Sequence, residues 1–211
     1  MIKCNLLKLI SLFLIFSTSA LGQDFKFGLV GGFDVANSRL TKKPVSGYDT
    51  RVFYPIVSFN TNAYIGYKSA RFWGISLEPG YIQKGGKLKY GNNYDDVRVQ
   101  MNYIQLPILA DFYLGEKFSI SVGPEFSYLI NVKAKSTDFS NDITGFYNNK
   151  FEFSGIVGIY YYFHKNFDIG LKYNHGLTYT SKVEWTDDNG IEIGQTNEYN
   201  QYFQCCVRFK I

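Results

Sequence analysis

Apolar residues alternate strictly with small or polar residues along residues 117–128. The apolar positions are Phe118, Ile120, Val122, Pro124, Phe126 and Tyr128, and the polar positions are Lys117, Ser119, Ser121, Gly123, Glu125 and Ser127. Successive side chains of a β-strand point to opposite faces, so the pattern predicts a strand between an apolar phase and a polar one. The stretch also reaches the length of about 9–11 residues that a tilted strand needs to cross a bilayer.

The same alternation recurs along the chain and predicts eight strands. They span residues 25–37, 54–68, 72–84, 98–113, 117–128, 150–163, 167–181 and 198–211. The connections alternate between short turns and long segments, a pattern typical of outer-membrane barrels, in which the short turns face the periplasm. We therefore predict an all-β fold, an eight-stranded antiparallel up-and-down transmembrane β-barrel.

A water-soluble barrel or sandwich would show the same period with its two faces reversed. The predicted strands, however, exceed the usual soluble length of about 5–6 residues. Their less apolar face carries Gly, Ser, Thr and Asn beside isolated charges, which suits a narrow, filled barrel interior. These features favour the membrane barrel.

The N-terminus has the form of a secretory signal peptide. Lys3 and Lys8 supply positive charge, residues 6–16 are mainly apolar, and Ala20 and Gly22 are small residues at a cleavage site. A membrane-anchoring helix is the alternative, but it needs roughly 20 apolar residues, far more than this run provides. We predict a signal peptide over residues 1–22, a barrel domain over residues 23–211, and a location in the bacterial outer membrane.

The charge balance of the predicted mature chain argues against nucleic acid as a partner. Without Lys3 and Lys8, 20 of the 22 basic residues remain against 18 acidic ones, a net charge of +2. This balance is too weak to indicate nucleic-acid binding.

Aromatic residues make up 18% of the chain, and Tyr in particular suits the membrane–water interface. Outer-membrane lipid is therefore a predicted partner.

Alternation also predicts which charged residues enter the barrel interior. An eight-stranded barrel is just wide enough inside for side chains, and charges buried there must pair. We therefore expect a monomer with a filled, ion-paired interior, no conducting pore and no cofactor. The predicted interior residues are Asp34, Glu78, Arg98, Lys117, Glu125, Glu152, Asp168, Lys172 and Arg208, together with Lys26 and Lys210.

The long loops are the predicted working parts of the molecule. They carry aromatic residues among Asn, Asp, Gly and Lys, a mixture that suits contact with an extracellular protein or a glycan. We therefore expect a non-enzymatic barrel that acts structurally or by recognition through these loops. The candidate recognition residues are Tyr48, Tyr90, Tyr94, Tyr147 and Trp185, with Phe139 and Phe146 beside them.

An outer-leaflet lipid-modifying enzyme is the alternative function. Small barrel enzymes of this kind place a His near the outer leaflet beside a Ser nucleophile and an acid. His175 is predicted near the outer rim, and Ser127 and Glu125 are the candidate companions. Their spacing does not require a triad, and the sequence shows no metal-ligand spacing, phosphate-binding loop or nucleophile elbow.

Four short motifs resemble a known family. The segments at residues 77–81 (LEPGY), 102–107 (NYIQLP), 123–128 (GPEFSY) and 173–177 (YNHGL) are similar to strand motifs of the PorT-like outer-membrane β-barrel family, in the same order. The resemblance spans the predicted mature chain and implies a closed eight-stranded barrel, generally without an assigned activity. The family name also suggests an accessory factor in protein secretion. One departure is the final residue, Ile211, where outer-membrane barrels often end in an aromatic residue.

Overall fold

The computed structural model describes residues 25–41, 52–69, 72–89, 96–186, 189 and 191–211. The predicted signal peptide and the loop residues Tyr48, Tyr90 and Tyr94 lie outside these ranges. Among the described residues, no helix combines the length and the apolar character needed to cross a membrane. One single-turn 3-10 helix, Thr144–Phe146, interrupts a chain of antiparallel strands.

Twelve strand segments are present in the described residues. They are β1 Phe25–Thr41, β2 Val52–Tyr54, β3 Ile56–Lys68, β4 Trp73–Leu77, β5 Gly80–Lys89, β6 Val97–Leu114, β7 Phe118–Lys135, β8 Ser140–Asp142, β9 Phe151–His164, β10 Phe167–Gly176, β11 Ser181–Thr186 and β12 Glu192–Lys210. Neighbouring segments that share a partner strand form one barrel strand. These pairs are β2 with β3, β4 with β5, β8 with β9, and β10 with β11.

The resulting eight barrel strands close on themselves. β1 pairs with β3 on one side and with β12 on the other, so that Leu29 lies opposite both Ala63 and Phe209. Every pairing among the described residues is antiparallel, and consecutive barrel strands are neighbours. The predicted eight-stranded antiparallel up-and-down barrel is therefore confirmed.

The apolar face of the barrel wall points outward. Phe33 and Val57 are 73% and 64% exposed, whereas the alternating polar residues Ser121 and Asp34 are fully buried in the interior. An exterior of this kind is stable against lipid rather than water, so the soluble alternative does not fit the fold.

Aromatic pairs form two girdles around the apolar band, as membrane barrels require at their two interfaces. One girdle lies at the rim with the short turns, which we call the turn end; the opposite rim is the loop end. Turn-end pairs include Phe25–Tyr67, Phe118–Tyr161 and Phe167–Phe209, and loop-end pairs include Phe59–Tyr81, Tyr128–Phe151 and Tyr173–Phe203.

Several strands extend farther toward the loop end than predicted. β7 ends at Lys135 rather than residue 128, and β12 begins at Glu192 rather than residue 198. The cause is an inversion of the pattern along β7, where the interior side becomes apolar and the exterior side becomes polar. The interior residues there are Leu129, Val132 and Ala134, and the exterior residues are Asn131, Lys133 and Lys135.

The inversion begins at a register shift in the β6–β7 ladder. Asn102 pairs with Asn131, but the next residue, Tyr103, pairs with Leu129, so β7 holds one extra residue at this point. An extra residue changes the face to which every later side chain points. A strand prediction that follows one apolar face therefore stops at this bulge.

Candidate functional site

The barrel interior contains two networks of buried charge. The network nearer the turn end is built on Arg208, whose Nε lies 3.0 Å from Asp168 and whose Nη1 lies 3.9 Å from Glu78. Lys172 forms a second ion pair with Glu78, and Lys210 lies 2.8 Å from Asp168. All five side chains are nearly inaccessible to solvent, so each buried charge has a counter-charge, as a low-dielectric interior demands.

Aromatic rings hold the Arg208 guanidinium in place. It lies 3.7 Å from the ring centroid of Tyr160 and 4.5 Å from that of Tyr64, which adds cation–π attraction to the ion pairs. Space for Tyr160 depends on Gly170 in β10, because a Cβ atom at that position would collide with the Tyr160 ring.

The second network is centred on Lys84 of β5. Its Nζ lies 2.8 Å from Glu125 and 2.8 Å from Glu152, and all three side chains are buried. Tyr202 donates a hydrogen bond of 2.6 Å to Glu125, and Asn200 donates one of 2.7 Å to Glu152. The two carboxylates thus share one ammonium group, and they also accept neutral hydrogen bonds from Tyr202 and Asn200.

Beyond the second network, the interior toward the loop end is filled by apolar side chains. This apolar plug lies in the inverted section, the part of the barrel where the interior side of β7 becomes apolar. An apolar core like that of a soluble protein replaces the polar interior there. Its members are Ala36, Ile56, Ile82, Leu88, Val99, Met101, Tyr103, Leu129, Val132, Tyr147 and Tyr202. Together with the two networks, it occupies the axis along which a channel would run.

Tyr147 belongs to the plug and is only 7% exposed, so its prediction as a loop recognition residue is wrong. The 3-10 helix Thr144–Phe146 turns the chain at this point, and the Tyr147 backbone N–H donates to the Thr144 carbonyl at 3.2 Å. Its neighbour Phe146 points outward instead. Trp185 lies in β11, which forms a hairpin with β12.

Eight of the predicted interior charges are buried inside the barrel: Asp34, Glu78, Glu125, Glu152, Asp168, Lys172, Arg208 and Lys210. Seven of them take part in the two networks. Asp34 does not contact a cation; both its carboxylate oxygens accept hydrogen bonds from the Asn60 amide, at 3.1 and 2.9 Å.

Two predicted interior residues lie elsewhere. Arg98 is six residues from Ile104 in β6 and therefore shares its outward face; its Nη2 donates to the Val57 carbonyl at 2.6 Å. Lys117 is exposed in the turn between β6 and β7, where strand alternation no longer decides where a side chain points. The interior prediction was wrong for both residues: Arg98 follows the outward alternation of β6, and Lys117 lies in a turn, where alternation does not apply.

Sequence reasoning missed several interior residues that the networks need. Lys84 and Asp111 stand at interior positions of β5 and β6, and the Asp111 carboxylate accepts a hydrogen bond from Ser121. Tyr160 and Tyr202 were hidden among the many tyrosines that suit an interface. Strand alternation could have identified them, because each lies two or four residues from another buried residue and therefore points to the same face.

The residues of the enzyme alternative are not brought together. Ser127 and Glu125 are buried in the interior, where Ser127 donates to Glu125 at 3.1 Å. His175 lies on the outward face of β10, and its ring contacts Tyr173 at 3.0 Å and Arg39 at 3.4 Å. The barrel wall separates the two sets, so they do not form a triad. The described residues also contain no cluster of three or more His, Cys, Asp or Glu suited to a metal ion.

A protein-family model described as "Outer membrane protein beta-barrel domain" matches residues 18–182. The chain belongs to this family. Membership confirms the predicted location in the bacterial outer membrane and agrees with the outward apolar band. A comparison with curated proteins found no match.

The chain is similar to several solved structures. Neisserial surface protein A superposes with a TM-score of 0.54 at 12% identity, covering 88% of this chain and 97% of its own. OprG from Pseudomonas aeruginosa gives a TM-score of 0.47 at 12% identity, covering 89% and 96%. Ail, the attachment invasion locus protein of Yersinia pestis, gives 0.44 at 14% identity, covering 89% and 100%. At such low identity, the likeness to neisserial surface protein A concerns the fold alone.

Proposed function

We propose that this outer-membrane barrel is non-enzymatic and non-conducting, and that it recognises an extracellular protein or glycan through its loop end. The observation that carries the proposal is the apolar plug, which fills the interior toward that end. A plugged barrel offers no path for solutes along its axis. The remaining surface available to other molecules is its rims.

The inverted section supports a role for the loop end. In that section the exterior of β7 is polar, so we infer that it stands above the lipid, with the plug as its core. The short turns would then face the periplasm, as they do in outer-membrane barrels. Phe146 and Ile191 are 79% and 63% exposed near the loop end, and solvent-exposed apolar side chains favour contact with a partner.

Photocrosslinking on intact cells tests this proposal. A photoreactive amino acid at Phe146 is expected to form adducts with an extracellular protein or glycan. The matched control is Phe163, an outward aromatic residue of the turn-end girdle, which should label only lipid. Digestion of the adducts with a protease or with glycosidases distinguishes the two classes of partner. Adducts to periplasmic proteins at Phe146 would reverse the proposed orientation, and adducts to lipid alone would contradict recognition.

The plug also predicts the electrical behaviour of the purified protein. In planar bilayers it should show no steady, porin-sized conductance, because the ion-paired networks and the apolar plug block the axis of the barrel. A known porin inserted under the same conditions provides the control for detection. Reproducible large channels would contradict the non-conducting barrel.

Within the family, we propose that the chain is PorT-like. Three of the four motifs lie side by side in the barrel wall: the Glu78 N–H donates to the Pro107 carbonyl at 3.1 Å, and Pro107 pairs with Glu125. The two motif carboxylates, Glu78 and Glu125, then enter the two interior networks. We infer that these motifs are needed to build the filled interior rather than to contact a partner.

A further inference from the structure

The interior is not filled at the turn end. Below the Arg208 network, a cavity of about 710 Å³ opens at this rim. Its walls include interior residues of several strands as well as residues of the short turns. The lining residues on which the site depends are Lys26, Tyr64, Lys68, Tyr113, Tyr162 and Lys210.

The cavity has an excess of positive charge. Four of its lining residues are lysines, and Glu116 is the single carboxylate side chain among them. Lys210 is balanced by Asp168, 2.8 Å away. Among the described residues, Lys26, Lys68 and Lys165 form no ion pair within 4.0 Å, unlike Lys84, Lys172 and Arg208 deeper in the barrel.

Two of these lysines belong to the interior wall. Lys26 follows the interior alternation of β1, and Lys68 that of β3. The Lys68 ammonium lies 4.5 Å from the ring centroid of Tyr113, and that of Lys210 lies 4.5 Å from the ring centroid of Tyr162. Lys26 and Lys210 line the same cavity. Like charges gathered in one concave site attract an anion of matching size.

We propose that this cavity binds a small, soluble, phosphate-bearing anion from the periplasm. Lysines provide compact point charges that suit the several oxygens of a phosphate, whereas planar carboxylate recognition favours Arg. Tyr64, Tyr113 and Tyr162 supply hydroxyl donors and ring surface for the rest of the molecule. The volume falls in the range of about 300–1,000 Å³ typical of small-molecule sites. The barrel wall separates the cavity from the lipid, which favours a soluble ligand.

Protection from an amine-reactive reagent tests the site directly. The whole protein in nanodiscs of zwitterionic lipid is modified with and without inorganic pyrophosphate as the probe, and each lysine is followed by mass spectrometry. Lys26 and Lys68 are expected to be protected. Lys133 and Lys135, exposed lysines of β7 at the loop end, are the matched controls and should react equally in both conditions.

Affinity measurements on variants complete the test. Lys26→Gln and Lys68→Gln should each weaken pyrophosphate binding by about tenfold, since each removes one charged hydrogen-bond donor. Lys133→Gln should leave it unchanged. Both cavity lysines are exposed, so these variants are expected to fold, and the protection experiment does not depend on them.

Three results would overturn the proposal. Absence of protection at Lys26 and Lys68 would mean that the cavity does not bind the anion. Equal protection at Lys133 would mean that pyrophosphate does not select the cavity. Protection of Lys26 and Lys68 by phosphatidylglycerol nanodiscs without pyrophosphate would identify a lipid headgroup as the source of phosphate, against a soluble ligand. None of these results depends on whether the loop end recognises a partner.

Discussion

Replacing Lys84 by methionine is expected to destabilise the barrel more than any other single truncation of an interior charge. Methionine keeps most of the volume, but the change leaves Glu125 and Glu152 buried without their shared cation. Breaking a buried ion pair by removing one partner typically costs about 3–5 kcal/mol. Urea unfolding of the protein refolded into lipid vesicles measures the change in the free energy of unfolding.

Two further variants separate the loss of charge balance from the loss of the side chain. Lys133→Met removes an exposed lysine from β7 and should change the free energy of unfolding little. The triple variant Lys84→Met, Glu125→Gln, Glu152→Gln removes all three charges and should recover much of the stability, because neutral groups of similar shape replace the network. Equal stability of Lys84→Met and the natural protein would contradict the ion-paired interior.

Strand alternation was sufficient to predict the fold and most of the buried acids. Glu78, Glu125 and Asp168 stand at interior positions of strands whose exterior positions are clearly apolar. The same rule failed for Lys117, because a turn residue has no alternating face. For Arg98 the rule itself indicates the outward face, because six residues, an even number, separate it from the outward Ile104; its interior prediction departed from the alternation.

The inverted section could not be predicted from one apolar face. Between Leu129 and Ala134 the apolar side chains fill the interior, and one extra residue in β7 accompanies the change. From the sequence, this section resembles a loop that carries scattered apolar and polar residues. Tyr147 was predicted to contact a partner for this reason, although its ring packs inside the plug.

The turn-end cavity depends on residues that are far apart in the sequence. Lys26, Lys68 and Lys210 stand on three different strands, and only the closure of β1 against both β3 and β12 brings them together. Alternation predicted Lys26 and Lys210 as interior residues, but it gave no sign that Lys68 joins them in one cavity. Their convergence is a consequence of register, which one sequence does not specify by itself.

Val122→Arg is expected to impair insertion into bilayers or reduce stability there. Val122 is 45% exposed at the middle of the apolar face of β7, opposite Ala110 on one side and Val157 on the other. An arginine on the lipid face at mid-depth costs about 2–4 kcal/mol, because its charge must leave water. The free energy of unfolding in lipid vesicles is the measurement, and Ser140→Arg, at an exposed residue of β8, is the control that should change little.

A fluorescent probe distinguishes a position that contacts lipid from a position where substitution destabilises the protein for another reason. With Cys205 and Cys206 replaced by alanine, a polarity-sensitive label at position 122 should be quenched by lipids that carry a quencher at mid-depth. The same label at position 140 should not be quenched, because β8 lies beyond the apolar band at the loop end. Failure of mid-depth quenching at position 122 would place this face away from lipid, since the outward apolar band requires Val122 to contact the acyl chains.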